Sequence, residues 1–174
     1  DLPYNPNNLE SVLSYAKKLE GRTLREATKG DMKSVKENKG GKGQLIEVLY
    51  FFMKNNNVAG PDFPSIEVEL KTAGLKPISK NVKKKYPSIE WMAKEPLRLS
   101  AVNYNNIVKE SFYESSFMNK NKNILLILHK YQKINPLDLE IKLTGLFSYE
   151  NLSNIDRKII RDDWELMKNK TLDG

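Results

Sequence analysis

The chain has 174 residues, and 29 Lys and Arg against 22 Asp and Glu give it a formal charge of +7 and an isoelectric point near 9.4. That length suits one domain with one core, burying roughly 70 % of the surface its unfolded form exposes, and a balance of 39 % hydrophobic to 29 % charged residues is that of a globular chain. The positive charge favours a polyanionic partner, nucleic acid or an anionic membrane; the lack of cysteine excludes disulfides and thiolate zinc, and His129 as the sole histidine argues against a histidine metal cluster or a Ser-His triad, which points to a hard ion such as magnesium held by oxygen.

No apolar run approaches the ~18 to 20 residues of a membrane span, and the opening "DLPYNPNNLE" has neither the basic nor the apolar region of a signal peptide. A soluble, cytoplasmic protein is expected. Asn8 caps a helix from about Leu9 to Glu20, with Leu9, Leu13, Ala16 and Leu19 at helical spacing and Gly21 as the stop. Thr23 caps a shorter turn through Ala27. "KENKGGKG" at 36 to 43 lacks the Gly-Lys-Ser/Thr ending of a phosphate loop; it reads as a flexible lead into the next helix, with backbone contact to phosphate as the rival. "QLIEVLYFFMK" at 44 to 54 is apolar almost all round and predicts a buried helix, closed by a loop at Asn55 to Asn57 and interrupted by one carboxylate, Glu47.

After Gly60-Pro61 comes "PDFPSIEVELKT", a strand by its alternation, and then a long segment with Lys80, Lys83, Lys84 and Lys85. Further strands are expected around Leu97 to Val102, Ile124 to His129 and Leu137 to Phe147, with "KNKN" at 120 to 123 a short polar turn. Asn154 reads as the cap of a closing helix whose apolar stripe is Ile155, Ile159, Ile160, Trp164 and Met167. Helices, a meander of strands and a final helix give a mixed α+β fold around one sheet, with no internal repeat and no linker to a second domain.

In the strand at 61 to 72, Ile66, Val68 and Leu70 alternate with Glu67, Glu69 and Lys71, so three charged side chains share a face at intervals of about 6.6 to 6.8 Å. The ordinary account is a solvated face of a half-buried strand. Against it, Asp62 precedes Glu69 by seven positions, and the stretch matches P-D-x6-E-x-K. Asp62 at the strand entrance and Glu69 within it can converge on one magnesium. Lys71 on the same face can then orient or help deprotonate an attacking water, or neutralise charge developing on a phosphate. Glu47 has Tyr50 and Phe51 at i+3 and i+4 and no local lysine, so it needs a partner elsewhere, either a metal site or a distant salt bridge.

In order and at fitting separations, "YAKKLEGRTLREA", "NKGGKGQLIEVLY", "PDFPSIEVELKTAGL", "YESSFMNKNKNILLIL" and "DRKIIRDDWELM" resemble the MutH-like endonucleases, the mismatch-repair nicking enzyme and the GATC-specific type II restriction enzymes related to it. The resemblance runs from about Leu9 to the carboxyl end. It implies a restriction-endonuclease-like PD-(D/E)xK fold, a mixed sheet flanked by helices, and magnesium-dependent hydrolysis of double-stranded DNA at GATC on the 5′ side of the guanine. By position Glu47 is similar to the family's helix glutamate, Asp62 and Glu69 to its metal-binding carboxylates, Lys71 to its catalytic lysine and Lys120 to a lysine near the scissile backbone. "ESSFMNKN" resembles the restriction branch, which cuts both strands, more than the nicking branch. The resemblance further implies one domain over 1–174, the N-terminal part of a longer chain whose further C-terminal segment helps read bases, and dimerisation on DNA.

Rival readings are a non-cleaving DNA-binding or allosteric domain that keeps the nuclease fold, and an assembly domain whose acids form surface salt bridges. The run through Lys83, Lys84 and Lys85 is either solvated or in contact with phosphate beside the cleft. His129, at the end of an apolar strand, reads as structural, and Trp91 and Trp164 as packing aromatics.

Overall fold

The computed structural model describes residues 2–28, 42–54 and 60–173. Most of the basic glycine stretch at 36–43 and the Asn55 to Asn57 loop lie outside these residues. Four strands form one mixed sheet: β1 (Glu69–Pro77), β2 (Trp91–Ala93), β3 (Asn123–Lys130) and β4 (Ile141–Ser148), in the order β2-β1-β3-β4. β1 and β3 run parallel, and the two outer pairings are antiparallel. The expected α+β class and mixed sheet stand, but the strands are not a simple meander, because a parallel pair requires a long crossover.

Helix α1 (Leu9–Lys17) starts where expected, with the Asn8 side chain accepting from Ser11 N at 2.8 Å. It ends three residues short of Glu20, because the chain tightens into turns there and leaves through Gly21 at φ 74°. Glu20 instead ties the turn to β4, accepting from Thr144 N at 2.7 Å and Thr144 Oγ1 at 3.0 Å. Thr23 and Glu26 form a reciprocal capping box on α2 (Leu24–Ala27). The apolar segment at 44 to 54 is no single helix: α3 (Lys42–Leu45) passes into a π turn, Ile46–Tyr50, and regular structure stops before Phe51.

Several expected boundaries move for identifiable reasons. Pro64–Ile66 is a 3-10 turn and Glu67 is left-handed at φ 52°, so β1 begins only at Glu69. Trp91–Ala93 takes the free edge of β1, and Pro96 lacks the N–H that would continue the ladder, so Leu97 to Val102 is not a strand. The lysine-rich segment is helical, α4 (Lys80–Lys85), capped by Ser79. Residues 120 to 123 are not a turn but the end of α6 (Ser116–Asn121) running into β3. Pro136–Asp138 is a 3-10 turn, which delays β4 to Ile141. Ser153, not Asn154, caps the closing helix α7 (Asn154–Leu172).

The buried side chains form two clusters, not the single core expected from chain length. Val12, Ala16 and Leu19 pack with Leu24, Ile46, Tyr50 and Phe51 against Leu70, Leu125, Ile127 and Ile141 of the sheet. Ile107 of α5 (Tyr104–Ile107), Phe112, Met118, Tyr149 and Trp164 make the second. Only part of the expected stripe on α7 is used: Trp164 is buried and Ile160 packs beside it, while Ile155 is 72 % exposed and Ile159 52 %. No helix among the described residues is long and apolar enough to cross a membrane.

Leu125 is fully buried where β3 meets the first cluster and pairs in register with Leu70. Leu125→Ala is expected to cost about 2–5 kcal/mol in urea unfolding; a loss below about 1 kcal/mol would mean that this cluster does not hold the parallel pair together.

Candidate active site

The site forms where β1 begins. The turn before it is closed by Phe63 and Val68, whose backbones exchange hydrogen bonds at 2.8 and 3.2 Å. This turn folds Asp62 back onto the strand, where its Oδ2 accepts from Leu70 N at 2.9 Å. The left-handed Glu67 closes the turn, a conformation that is uncommon without glycine, and its carbonyl accepts from the Asn123 side chain at 3.2 Å. Glu67 therefore does not share a face with Glu69 and Lys71. It is exposed and lines a separate shallow cleft with Tyr113, Glu114 and Lys122.

Glu69 is not on a solvated face either: the residue is 3 % exposed. Its Oε1 accepts from Lys71 Nζ at 2.6 Å, and Lys120 Nζ lies 3.5 Å away. Its Oε2 is buried with no hydrogen-bond partner, a costly state for a charged oxygen. Lys120 arrives through register: β1 and β3 pair in parallel with Glu69 opposite Ile124, and Lys120 stands on α6 just before β3.

Glu47 reaches the same site from the π turn. The turn is fixed by aromatic packing on its far side, with Tyr15 and Tyr50 stacked at 4.4 Å, Tyr50 Oη donating to Tyr15 O at 2.8 Å and Tyr4 Oη donating to Phe51 O at 2.7 Å. Burial raises the Glu47 carboxyl above its ordinary range, reinforced by the charges of Asp62 and Glu69 and opposed by Lys71 and Lys120. Burial likewise raises Glu69, against the hydrogen bond from Lys71, with Asp62 adding to the rise. Three carboxylates and two ammonium groups thus share one field.

Among the described residues no three acid or histidine side chains close into a ready-made metal cage. The donors present are of the right kind for magnesium, which takes one or two carboxylates and fills its octahedron with water and phosphate oxygens. The partnerless Glu69 Oε2, with the Asp62 charge beside it, is where such an ion would relieve an existing cost.

The other sequence candidates lie apart. Lys83, Lys84 and Lys85 are on exposed α4 after the far end of β1, eight residues or about 26 Å of strand from Glu69. His129 is buried, with Nδ1 2.9 Å from Lys130 O. Asn123 escaped the sequence reading because its contact with Glu67 spans 56 residues and depends on a register that no local pattern encodes.

A family profile described as the DNA mismatch repair enzyme MutH matches residues 51–163. The chain is also 32 % identical, over 165 residues and 95 % of its length, to the type II restriction enzyme Sau3AI of Staphylococcus aureus, and spans 32 % of the length of that relative.

Because Glu47 and Glu69 have raised folded-state values, the metal-free fold binds their protons more tightly than the unfolded chain does. Their contribution to stability is fully present below the ordinary carboxyl value and is lost as the pH rises through the raised values. Above that raised range the charge on Glu69 therefore opposes folding. Glu69→Gln is expected to raise the thermal midpoint of the metal-free chain by a few degrees, on the order of 1 kcal/mol, and to abolish any rise caused by magnesium. A variant less stable than the wild type in EDTA would show that the ion pair to Lys71 outweighs the cost of burial.

Proposed function

The chain belongs to the MutH family, and on that premise we propose that it is a magnesium-dependent endonuclease hydrolysing phosphodiester bonds of double-stranded DNA at GATC, 5′ of the guanine. The observation that carries this reading is the convergence of Asp62, Glu69, Lys71 and Lys120 at the start of β1, with Glu47 in the same field. The likeness to a type II restriction enzyme over 95 % of the chain favours cutting of both strands over nicking. Residues 1–174 then act in the cytoplasm as one catalytic domain of a longer enzyme that dimerises on DNA and has further segments for base reading, in keeping with the greater length of that relative.

In this mechanism Asp62 and Glu69 would hold the magnesium, and Glu47, in the same field, would complete or support its shell. The ion, when bound, supplies positive charge against the negative charge that develops on the phosphate. Lys71 is held on the same strand face as Glu69, and its ammonium orients the attacking water by donating to it. Lys120 approaches from α6 and donates to a phosphate oxygen. The Leu70 amide donates to one oxygen of Asp62 and leaves the other for the ion, a preorganisation that spares reorganisation during the reaction. Glu67 stays outside the reaction.

The reading is tested with supercoiled plasmid carrying unmethylated GATC sites, incubated in magnesium or EDTA with the wild type and Asp62→Ala, and with the product ends sequenced. Magnesium-dependent ends at GATC are expected, with the variant slower by about 100-fold or more. Cutting by the variant at the wild-type rate would refute the site, and ends scattered without regard to GATC would refute the specificity.

A further inference from the structure

Among the described residues, β1 has an open edge beside Lys71. β2 pairs with it only over Leu75–Pro77, and the last link is Lys94 N donating to Gly74 O at 2.8 Å. After that the chain peels away through Glu95 and Pro96, leaving a cleft of about 670 Å³ with Lys71–Gly74 as its floor, Lys94–Arg98 as one wall, and His129 and Tyr131 at the Gly74 end. Main-chain groups of a strand alternate between its two sides. Since Gly74 O faces β2 and Leu75 O faces the β3 side, where it accepts from Tyr131 N at 2.8 Å, the Thr72 N–H and C=O face the cleft. No strand among the described residues pairs with them there.

The wall opposite is cationic. Lys94 Nζ stands 3.9 Å from the centroid of the Tyr131 ring and 3.7 Å from exposed Glu95 Oε2. Arg98 is exposed and makes no ion pair or hydrogen bond among the described residues. The floor, Thr72-Ala73-Gly74, carries short side chains, and His129 and Tyr131 pack where a side chain at Gly74 would stand. Cations on one wall, an amide donor on the floor that no described strand pairs with, and an aromatic ring at the end suit a chain of phosphates and sugars. At one end the cleft opens onto Lys71.

From this geometry we infer that the open edge of β1 seats the sugar-phosphate backbone of a DNA strand beside the scissile phosphate, with Arg98 and Lys94 as phosphate ligands and the Thr72 amide as a further donor. The inference rests on the nuclease reading and names a contact surface that neither the P-D-x6-E-x-K pattern nor the lysines of α4 indicated. The strand passes from Lys71 along the floor toward Tyr131, so the catalytic lysine and the two phosphate ligands engage one continuous backbone.

The test is binding of a fluorescent GATC duplex in EDTA, which keeps the substrate whole, measured across a range of salt concentrations for the wild type, Arg98→Gln, Lys94→Gln and the charge control Lys17→Gln, each checked for folding by thermal melting. Loss of one phosphate contact lowers the slope of log K against log salt by about one. Arg98→Gln and Lys94→Gln are each expected to show this, with affinity several-fold weaker at 0.15 M salt, while Lys17→Gln on α1 keeps the wild-type slope. A wild type that binds duplex while both cleft variants retain its slope overturns the inference and leaves the nuclease reading standing. A wild type that binds no duplex at any salt overturns both.

Discussion

A carboxylate buried at the start of a strand, with one oxygen paired and the other without a partner, is the constraint around which this molecule is built. Glu69 is 3 % exposed, and an ionised oxygen at such depth is tolerated only where opposite charge is near. Lys71 and Lys120 supply that charge on one side of the group, and the orphaned Oε2 marks the side they leave unmet. The metal-free protein therefore carries an electrostatic cost at its site that a bound cation would remove, a form of local strain common where function needs a preorganised charge.

Placement of the compensating groups depends on the parallel pairing of β1 with β3. With Glu69 opposite Ile124, the start of β1 lies against the end of α6, and Lys120 and Asn123 reach it from a segment more than fifty residues away. Asn123 holds the left-handed turn at Glu67, and that turn returns Asp62 to the Leu70 amide. Glu47 is set by a different device, a π turn braced by the Tyr15 and Tyr50 stack; π turns often accompany functional sites because they re-aim a side chain within a helix. Thus the first cluster and the candidate site share elements, and destabilising one loosens the other.

How much of this was legible varied with the range of the interaction responsible. Caps at Asn8 and Thr23, the apolar run of β3 and the spacing of Asp62, Glu69 and Lys71 are local, and they could be read directly. The shared face of Glu67 with Glu69 was misread because a proline-led 3-10 turn and one left-handed residue replaced the first half of the expected strand. The edge strand was misplaced because Leu97 to Val102 shows alternation over its first residues, whereas Trp91–Ala93 is too short to show any. Lys120 entered by family resemblance, since no local pattern marks a lysine whose partner is on another strand. The exposed Ile155 and Ile159 of α7 show the converse: a helical stripe in the sequence does not say which of its members find a partner.

The most direct test of the account is a crystal structure of the metal-free chain soaked in manganese, whose anomalous signal locates the ion independently of the protein density. The account predicts one strong peak between the carboxylates of Asp62 and Glu69, within about 2.0–2.3 Å of an oxygen of each, and its loss in Glu69→Gln. A peak held by other residues, or none at this position at saturating metal, would contradict the claim that Glu69 is buried to receive a cation.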